Sequence, residues 1–158
     1  MFFPVMVDLS AMEVLVVGGG RIAYRKIKKL LDFGGRVKVI APEFCQDLYS
    51  LAKYLDDEER LIMISRPFEV TDLEGHSLVY LATDDKDLNS QIGDICKSKK
   101  ILVNRLDDHR DSSFINMATR RKEYKGQDVL LAVSCFGENP SLTRDLCRKL
   151  EEEFLEDK

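Results

Sequence analysis

Short apolar runs alternate with amphipathic stretches through the first two thirds of the chain. Val14-Leu15-Val16-Val17 is a continuous apolar run, stopped by Gly18-Gly19-Gly20. A run of this length without polar alternation suits a parallel strand covered on both faces. Beyond the glycines, Ala23, Ile27, Leu30 and Leu31 recur at helical spacing, with Arg25, Lys26, Lys28 and Lys29 between them, and Gly34-Gly35 supplies a C-terminal stop. Val37-Lys38-Val39-Ile40 predicts a second strand, ended by Pro42, and a helix follows over 43–53. Further strands are expected at 61–64, 78–82 and 101–103, with a helix over 87–98 that carries Leu88, Ile92 and Ile95 on one face. Strands and helices alternating at this spacing predict an α/β protein with a Rossmann-type, doubly wound parallel sheet.

After about Asn104 the pattern changes. A strand is expected over 114–119, a turn at Gly126-Gln127-Asp128, a strand over 129–134, and a last helix from Pro140 to about Leu155. Asn139 is a good N-cap, and Pro140 suits the first helical position. The expected organisation is therefore a Rossmann domain over 1–106 and a small α+β appendage of two strands and a terminal helix over 107–158. About 50 residues make a small independent core, so the appendage is expected to dock on the Rossmann unit or on a second subunit.

Composition narrows the function classes. The chain has 158 residues, 44% of them apolar, as in an ordinary soluble domain with an appendage. A net charge of -4 does not fit a general nucleic-acid binder. No apolar run approaches the ~20 residues of a membrane span. The start lacks a basic region and is broken by Pro4 and Asp8, so it reads poorly as a signal peptide and a cytoplasmic location is expected. Cys45, Cys96, Cys135 and Cys147 form no C-x-x-C pair and are expected as reduced thiols serving as small packing residues. Charge is segregated: residues 97–125 hold nine bases and four acids, while the remainder holds fifteen bases and twenty-four acids. A basic segment of this kind suits an anionic substrate, or a solvated face.

Two segments carry candidate chemistry. Gly18-x-Gly20-x-x-Ala23 follows a predicted strand and opens a predicted helix. In such a motif the first glycine permits the tight turn, the second lets backbone approach a pyrophosphate, and the small third residue lets helix and strand pack closely. The helix then offers free N–H groups and a positive dipole end to phosphates. The acid that usually ends the second strand of an NAD site is missing; Glu43 is the first acid there, and Arg36 and Lys38 leave NADP open. The second segment, Asn104-Arg105-Leu106-Asp107-Asp108-His109-Arg110-Asp111, lies beyond the carboxyl end of the fifth strand, where such sheets place their ligand crevice. Asp107, Arg105 and His109 offer a proton acceptor and anion-binding groups, but the spacing is too tight for ligands to converge on a metal, and no metal site is expected.

Several segments together resemble one family. They are Phe3-Pro4-Val5 with Asp8-Leu9, Val16-Val17-Gly18-Gly19-Gly20 with Ala23-x-Arg25-Lys26, and Val39-x-Ala41-Pro42-Glu43. Ala82-Thr83-Asp84-Asp85 with Asn89, Val103-Asn104-x-x-Asp107, Ser113-Phe114-Ile115, and Ala132-Val133-Ser134-x-x-Gly137-x-x-Pro140 complete the set. The chain resembles the precorrin-2 dehydrogenase family, found at the N-terminus of siroheme synthase and as stand-alone dehydrogenase or dehydrogenase/ferrochelatase proteins. The resemblance implies NAD-dependent oxidation of precorrin-2 to sirohydrochlorin, with Asp107 at the position of the family's key aspartate. It implies cofactor contacts at Gly18, Gly19, Gly20, Arg21, Ile22, Pro42, Glu43, Thr83, Asp84 and Asn104. Arg105, His109, Ser134 and Gly137 are expected to meet a tetrapyrrole substrate rich in carboxylates. The appendage matches the family's dimerisation region, which implies a homodimer. In bifunctional relatives the same aspartate also serves iron insertion into sirohydrochlorin.

The chain departs from the family's Ser-x-Gly-Gly-x-Ser-Pro pattern, reading Ser134-Cys135-Phe136-Gly137-Glu138-Asn139-Pro140. Many relatives also continue past the last helix, whereas this sequence ends at Lys158, leaving less protein to enclose a macrocycle. A non-catalytic NAD-sensing dimeric module, like those regulating ion channels, is the alternative reading. Such modules normally carry the acid at the end of strand two and do not need an Asn104–Asp107 constellation. Tyr49-x-x-x-Lys53 has short-chain dehydrogenase spacing but falls just after strand two, far from the helix that carries such a pair.

Overall fold

The computed structural model describes residues 2–154, which form two compact units divided between Phe114 and Ile115. The first holds β1 (Glu13–Val17), α1 (Arg21–Asp32), β2 (Arg36–Ala41), α2 (Gln46–Lys53), β3 (Leu61–Ser65), β4 (Leu78–Leu81), α3 (Lys86–Ser98) and β5 (Leu102–Arg105). The five strands form one parallel sheet in the order β3-β2-β1-β4-β5.

The sheet explains why its strands read as unbroken apolar runs. Val14, Val16, Val37, Val39 and Tyr80 face Ala23, Ile27, Leu30 and Leu31 of α1 and Leu48 of α2. Leu15, Val17, Ile40, Val79, Leu81 and Val103 form the opposite core with Ile92 and Cys96 of α3. Each fully buried Val, Leu or Ile contributes about 1.5–3 kcal/mol, so both faces of the central strand must be apolar. Because β2 and β4 flank β1, successive crossovers leave in opposite directions there and open a crevice at the strands' carboxyl ends.

Two local differences from the sequence reading have physical causes. Helix α2 starts at Gln46, not at 43, because residues 42–45 cross the glycine turn: the Cys45 N–H donates to the Gly19 carbonyl at 2.8 Å. The first unit also runs on to Phe114, past the boundary expected at 106. The reason lies in the exposed edge of β5. The Val103 N–H donates to Ser113 Oγ at 2.7 Å, the Arg105 N–H to Ser112 Oγ at 2.9 Å, and the Ser113 N–H to the Val103 carbonyl at 2.8 Å. Asn104 Nδ2 adds a bond to the Phe114 carbonyl at 2.7 Å. Residues 112–114 thus satisfy an edge that would otherwise stay unpaired, and the Phe114 ring packs edge-on against Tyr80 at 5.3 Å.

The second unit is a hairpin with a helix. β6 (Ala118–Tyr124) pairs antiparallel with β7 (Gln127–Val133), and Tyr124 opposes Gln127. The expected strand at 114–119 is therefore displaced, and the turn is Lys125-Gly126 rather than 126–128. Both turn residues have positive φ, 51° and 73°, as a two-residue type I′ hairpin requires. Helix α4 (Pro140–Phe154) is capped by Asn139, whose Oδ1 accepts from the Leu142 N–H at 3.0 Å; its expected end at Leu155 lies outside the described residues. Thr143 and Cys147 are its buried positions, and Arg120 of β6 pairs with Glu151 at 2.9 Å. All four cysteines are free: Cys96 and Cys147 are buried, and Cys45 and Cys135 half-buried. Among the described residues, no helix is long and apolar enough to cross a membrane.

Candidate active site

The glycine turn joins β1 to α1. Gly18 has φ +115°, and a Cβ there would stand 2.5 Å from the Ala82 carbonyl oxygen. At Gly19 the added carbon would meet the Glu43 carbonyl oxygen at 2.2 Å. The first two glycines are therefore required by the protein's own packing. Gly20 differs: nothing lies within 4 Å of where its Cβ would be. It is the N-cap of α1, no side chain caps that helix, and its first turn contains no acid. The outcome is an open cradle of backbone N–H groups at a positive dipole end, which fits the pyrophosphate of a dinucleotide. Pro42 and Glu43 lie in the segment crossing this turn, and Ser65 Oγ donates to the Pro42 carbonyl at 2.9 Å.

Beside it, the β4–α3 turn is organised by Asn89, fully buried in the first turns of α3. Thr83 Oγ1 donates to Asn89 Oδ1 at 2.7 Å, and Asn89 Nδ2 to the Thr83 carbonyl at 3.0 Å. Asp85 caps α3 by accepting from the Leu88 N–H at 2.9 Å. These bonds fix the direction in which Thr83 and Asp84 leave the sheet.

The third component follows β5. Asp107 has an open backbone, but its side chain is turned inward and is 14% exposed. Arg105 Nη2 donates to Asp107 Oδ2 at 2.8 Å, and Nε to Oδ1 at 3.3 Å. On its other side Arg105 Nη1 donates to Asp111 Oδ2 at 2.5 Å, and Asp111 also binds Lys97 of α3. Burial by itself would raise the Asp107 pKa, but the Arg105 hydrogen bonds and charge outweigh it, with help from Asn89, and hold it below the ordinary 3.8. Asp111 is likewise lowered, by Lys97 and against burial, with Arg105 adding to it. Asn104 is buried; among the described residues its Oδ1 has no hydrogen-bond partner, leaving a spare acceptor beside the Phe114 contact. Lys26 of α1 lies over the Tyr80 ring at 5.3 Å, and burial, with some repulsion from Lys29, pushes its pKa down to about 8.

These parts converge. A pocket of about 130 Å³ is lined by Ile22, Ala82, Thr83, Asp84, Lys86, Leu106 and Asp107. Of the residues singled out in the sequence, it brings together Ile22 from the start of α1, Thr83 and Asp84 from the β4–α3 turn, and Asp107. His109 opens a 3-10 turn, His109–Asp111, and is half-buried outside this lining. Arg105 is 8% exposed with its guanidinium between two carboxylates. Ser134 and Gly137 belong to the second unit, where Ser134 Oγ accepts from the Phe136 N–H at 3.0 Å and both Phe136 and Gly137 have positive φ. The sequence reading gave no role to Asn89, Lys97 or Asp111. An asparagine among the apolar positions of α3 is the signal that marks Asn89.

The strand order and the open glycine turn define a Rossmann-type dinucleotide-binding fold. The chain belongs to the family described as "Putative NAD(P)-binding", whose model matches residues 5–118. Siroheme synthase of Actinobacillus pleuropneumoniae serotype 3 is 39% identical over 150 residues, covering 95% of this chain and 29% of that protein. Siroheme synthase of Pseudoalteromonas atlantica is 35% identical over 150 residues, 95% of this chain and 31% of that protein. The chain thus spans about three tenths of these relatives' length. A solved structure described as "SirC, precorrin-2 dehydrogenase" superposes with a TM-score of 0.78 at 27% identity, covering 97% of this chain and 71% of that one.

Proposed function

We propose that the protein is an NAD-dependent precorrin-2 dehydrogenase, oxidising precorrin-2 to sirohydrochlorin in siroheme biosynthesis. The observation that carries the reading is the shared pocket: Ile22, at the start of the helix that would receive a pyrophosphate, and Asp107 line the same space. The siroheme synthase relatives and the SirC likeness support the substrate class.

Gly18, Gly19, Gly20, Arg21 and Ile22 would hold the dinucleotide at the α1 N-terminus, Pro42 and Glu43 would border it, and Thr83, Asp84 and Asn104 would flank its reactive end. NAD, when bound, supplies the hydride acceptor. Oxidation removes a hydride and a proton from the macrocycle. Asp107, kept ionised by Arg105, is a poor resting place for that proton at neutral pH, which departs to water. Its carboxylate instead accepts from ring N–H groups and offsets positive charge as the hydride leaves. His109 and the bases of the first unit that follow β5 would meet the substrate's carboxylates. A homodimer fits α4, where Leu142 and Leu146 are exposed one turn apart beside the buried Thr143 and Cys147.

Asp107→Asn tests the assignment. NAD affinity should stay close to wild type and stability fall by about 1–2 kcal/mol with the loss of the Arg105 ion pair, while turnover falls by roughly a hundredfold. Full turnover in this variant would remove Asp107 from the mechanism.

A further inference from the structure

We infer that Arg105 is a positioning residue, braced by Asp111 and Lys97, that fixes the orientation of the Asp107 carboxylate. The inference deepens the proposed dehydrogenase reading and rests on it for the meaning of turnover.

The geometry separates Arg105 from an ordinary substrate-binding arginine. Its side chain is 8% exposed, and all three guanidinium nitrogens are engaged: Nε and Nη2 by Asp107, Nη1 by Asp111. With three of its five N–H donors taken by carboxylates and the side chain 8% exposed, this guanidinium is held by its own chain rather than presented to a substrate carboxylate. Its backbone is also pinned. Arg105 ends β5, is in register with Leu81, and its N–H is taken by Ser112 Oγ at 2.9 Å. Asp111 in turn is tied to Lys97 on α3, so the chain Lys97–Asp111–Arg105–Asp107 runs from a packed helix to the pocket. A planar fork held at both ends dictates where a carboxylate sits, which a single ammonium cannot do.

The groups facing Asp107 define what the clamp controls. Arg105 approaches it from β5, Asn89 from α3, and Asp84 of the β4–α3 turn and Lys86 at the start of α3 line the same pocket. Arg105 is the cation bonded directly to it. Without Arg105, burial of Asp107 is opposed only by a backbone hydrogen bond and by Asn89. Its carboxyl would titrate higher than in wild type and lose its fixed direction. The clamp thus keeps a half-enclosed acid in the acceptor-only form that the reaction uses.

The test is a carboxyl carbon-13 titration of the full chain with labelled aspartate, the Asp107 signal being identified by its loss in Asp107→Asn. Wild type should titrate below 3.8, and Arg105→Gln higher than wild type. In the same Arg105→Gln protein, kcat for precorrin-2 oxidation should fall roughly tenfold while KM for NAD stays within about twofold. Arg105→Lys keeps the charge but not the fork: its Asp107 should still titrate low, with kcat down roughly threefold. An Asp107 titration unmoved in Arg105→Gln, or full kcat there, overturns the inference. Should that variant not fold, wild-type kcat in Arg105→Lys overturns it instead. An Arg105-dependent titration in a chain without turnover would support the clamp and contradict the dehydrogenase reading, so the two failures are distinguishable.

Discussion

A methyl group on Gly18 would stand 2.5 Å from the carbonyl oxygen of Ala82, whereas one on Gly20 would touch nothing within 4 Å. Two glycines of one turn are therefore kept for different reasons. Gly18→Ala meets both a left-handed φ of +115° and a backbone collision, and should destabilise the protein by about 2–4 kcal/mol in urea unfolding. Gly20→Ala should lower stability by no more than about 1 kcal/mol, the cost of alanine at an N-cap, because its backbone is ordinary and the space is open. The same variant should weaken NAD at least roughly tenfold by calorimetry, since the methyl fills the place of closest approach to a pyrophosphate. A stable Gly20→Ala protein with unchanged NAD affinity would contradict the cradle.

Asn104 should show a mixed phenotype. Asn104→Ala deletes the 2.7 Å bond that ties Phe114 to β5 and leaves a carbonyl without its donor, costing about 1–2 kcal/mol. It also removes the spare Oδ1 acceptor, so the NAD dissociation constant should rise severalfold, on the order of 3–10 times. Loss of stability with no change in NAD affinity would assign Asn104 to the fold alone.

Acid stability should depend on Asp72. Its carboxylate is 9% exposed, bonded to Arg66 at 2.6 and 2.8 Å and to the Glu69 N–H at 2.8 Å. The Arg66 bonds, acting against burial and aided by the Glu69 N–H, lower its folded pKa below 3.8. A depressed carboxylate contributes stability that is fully present above the unfolded value and is lost as pH falls through the folded one. Stability should therefore drop below about pH 4, and Asp72→Asn should lower the plateau at pH 7 by about 1–2 kcal/mol while flattening that acid loss. Parallel pH curves for wild type and variant would contradict it.

The hairpin turn offers a stabilising change. Lys125 occupies left-handed backbone at φ 51°, which costs a lysine about 1 kcal/mol relative to residues that tolerate it. Lys125→Asn creates the favoured Asn-Gly pair and should raise stability by about 0.5–1 kcal/mol, read as a higher urea midpoint.

Most of the first unit is legible in the sequence because a sheet covered on both faces must write its central strands as apolar runs, as 14–17 and 78–81 do. The second unit is less so. β6 contains Arg120-Arg121-Lys122-Glu123, a charged stretch with no alternation to read, and Lys125-Gly126 is a weak turn signal beside Asn-Gly. The Rossmann boundary escapes because Ser112 and Ser113 act by side-chain bonds to a strand edge, a tertiary event that leaves no periodicity. At the site, the glycine turn could be read from motif and spacing, whereas Asp107 is singled out by the family resemblance. Arg105 could be placed but not interpreted: whether an arginine faces substrate or two carboxylates depends on the path of the chain from 106 to 111.

An anaerobic spectroscopic assay of the purified chain with precorrin-2 and NAD, repeated with NADP, decides whether the chain is a dehydrogenase. The sirohydrochlorin spectrum should grow in step with NADH formation, with no conversion when the dinucleotide is omitted. Tight dinucleotide binding without any conversion by either cofactor would contradict that activity and favour a sensing module built on the same fold.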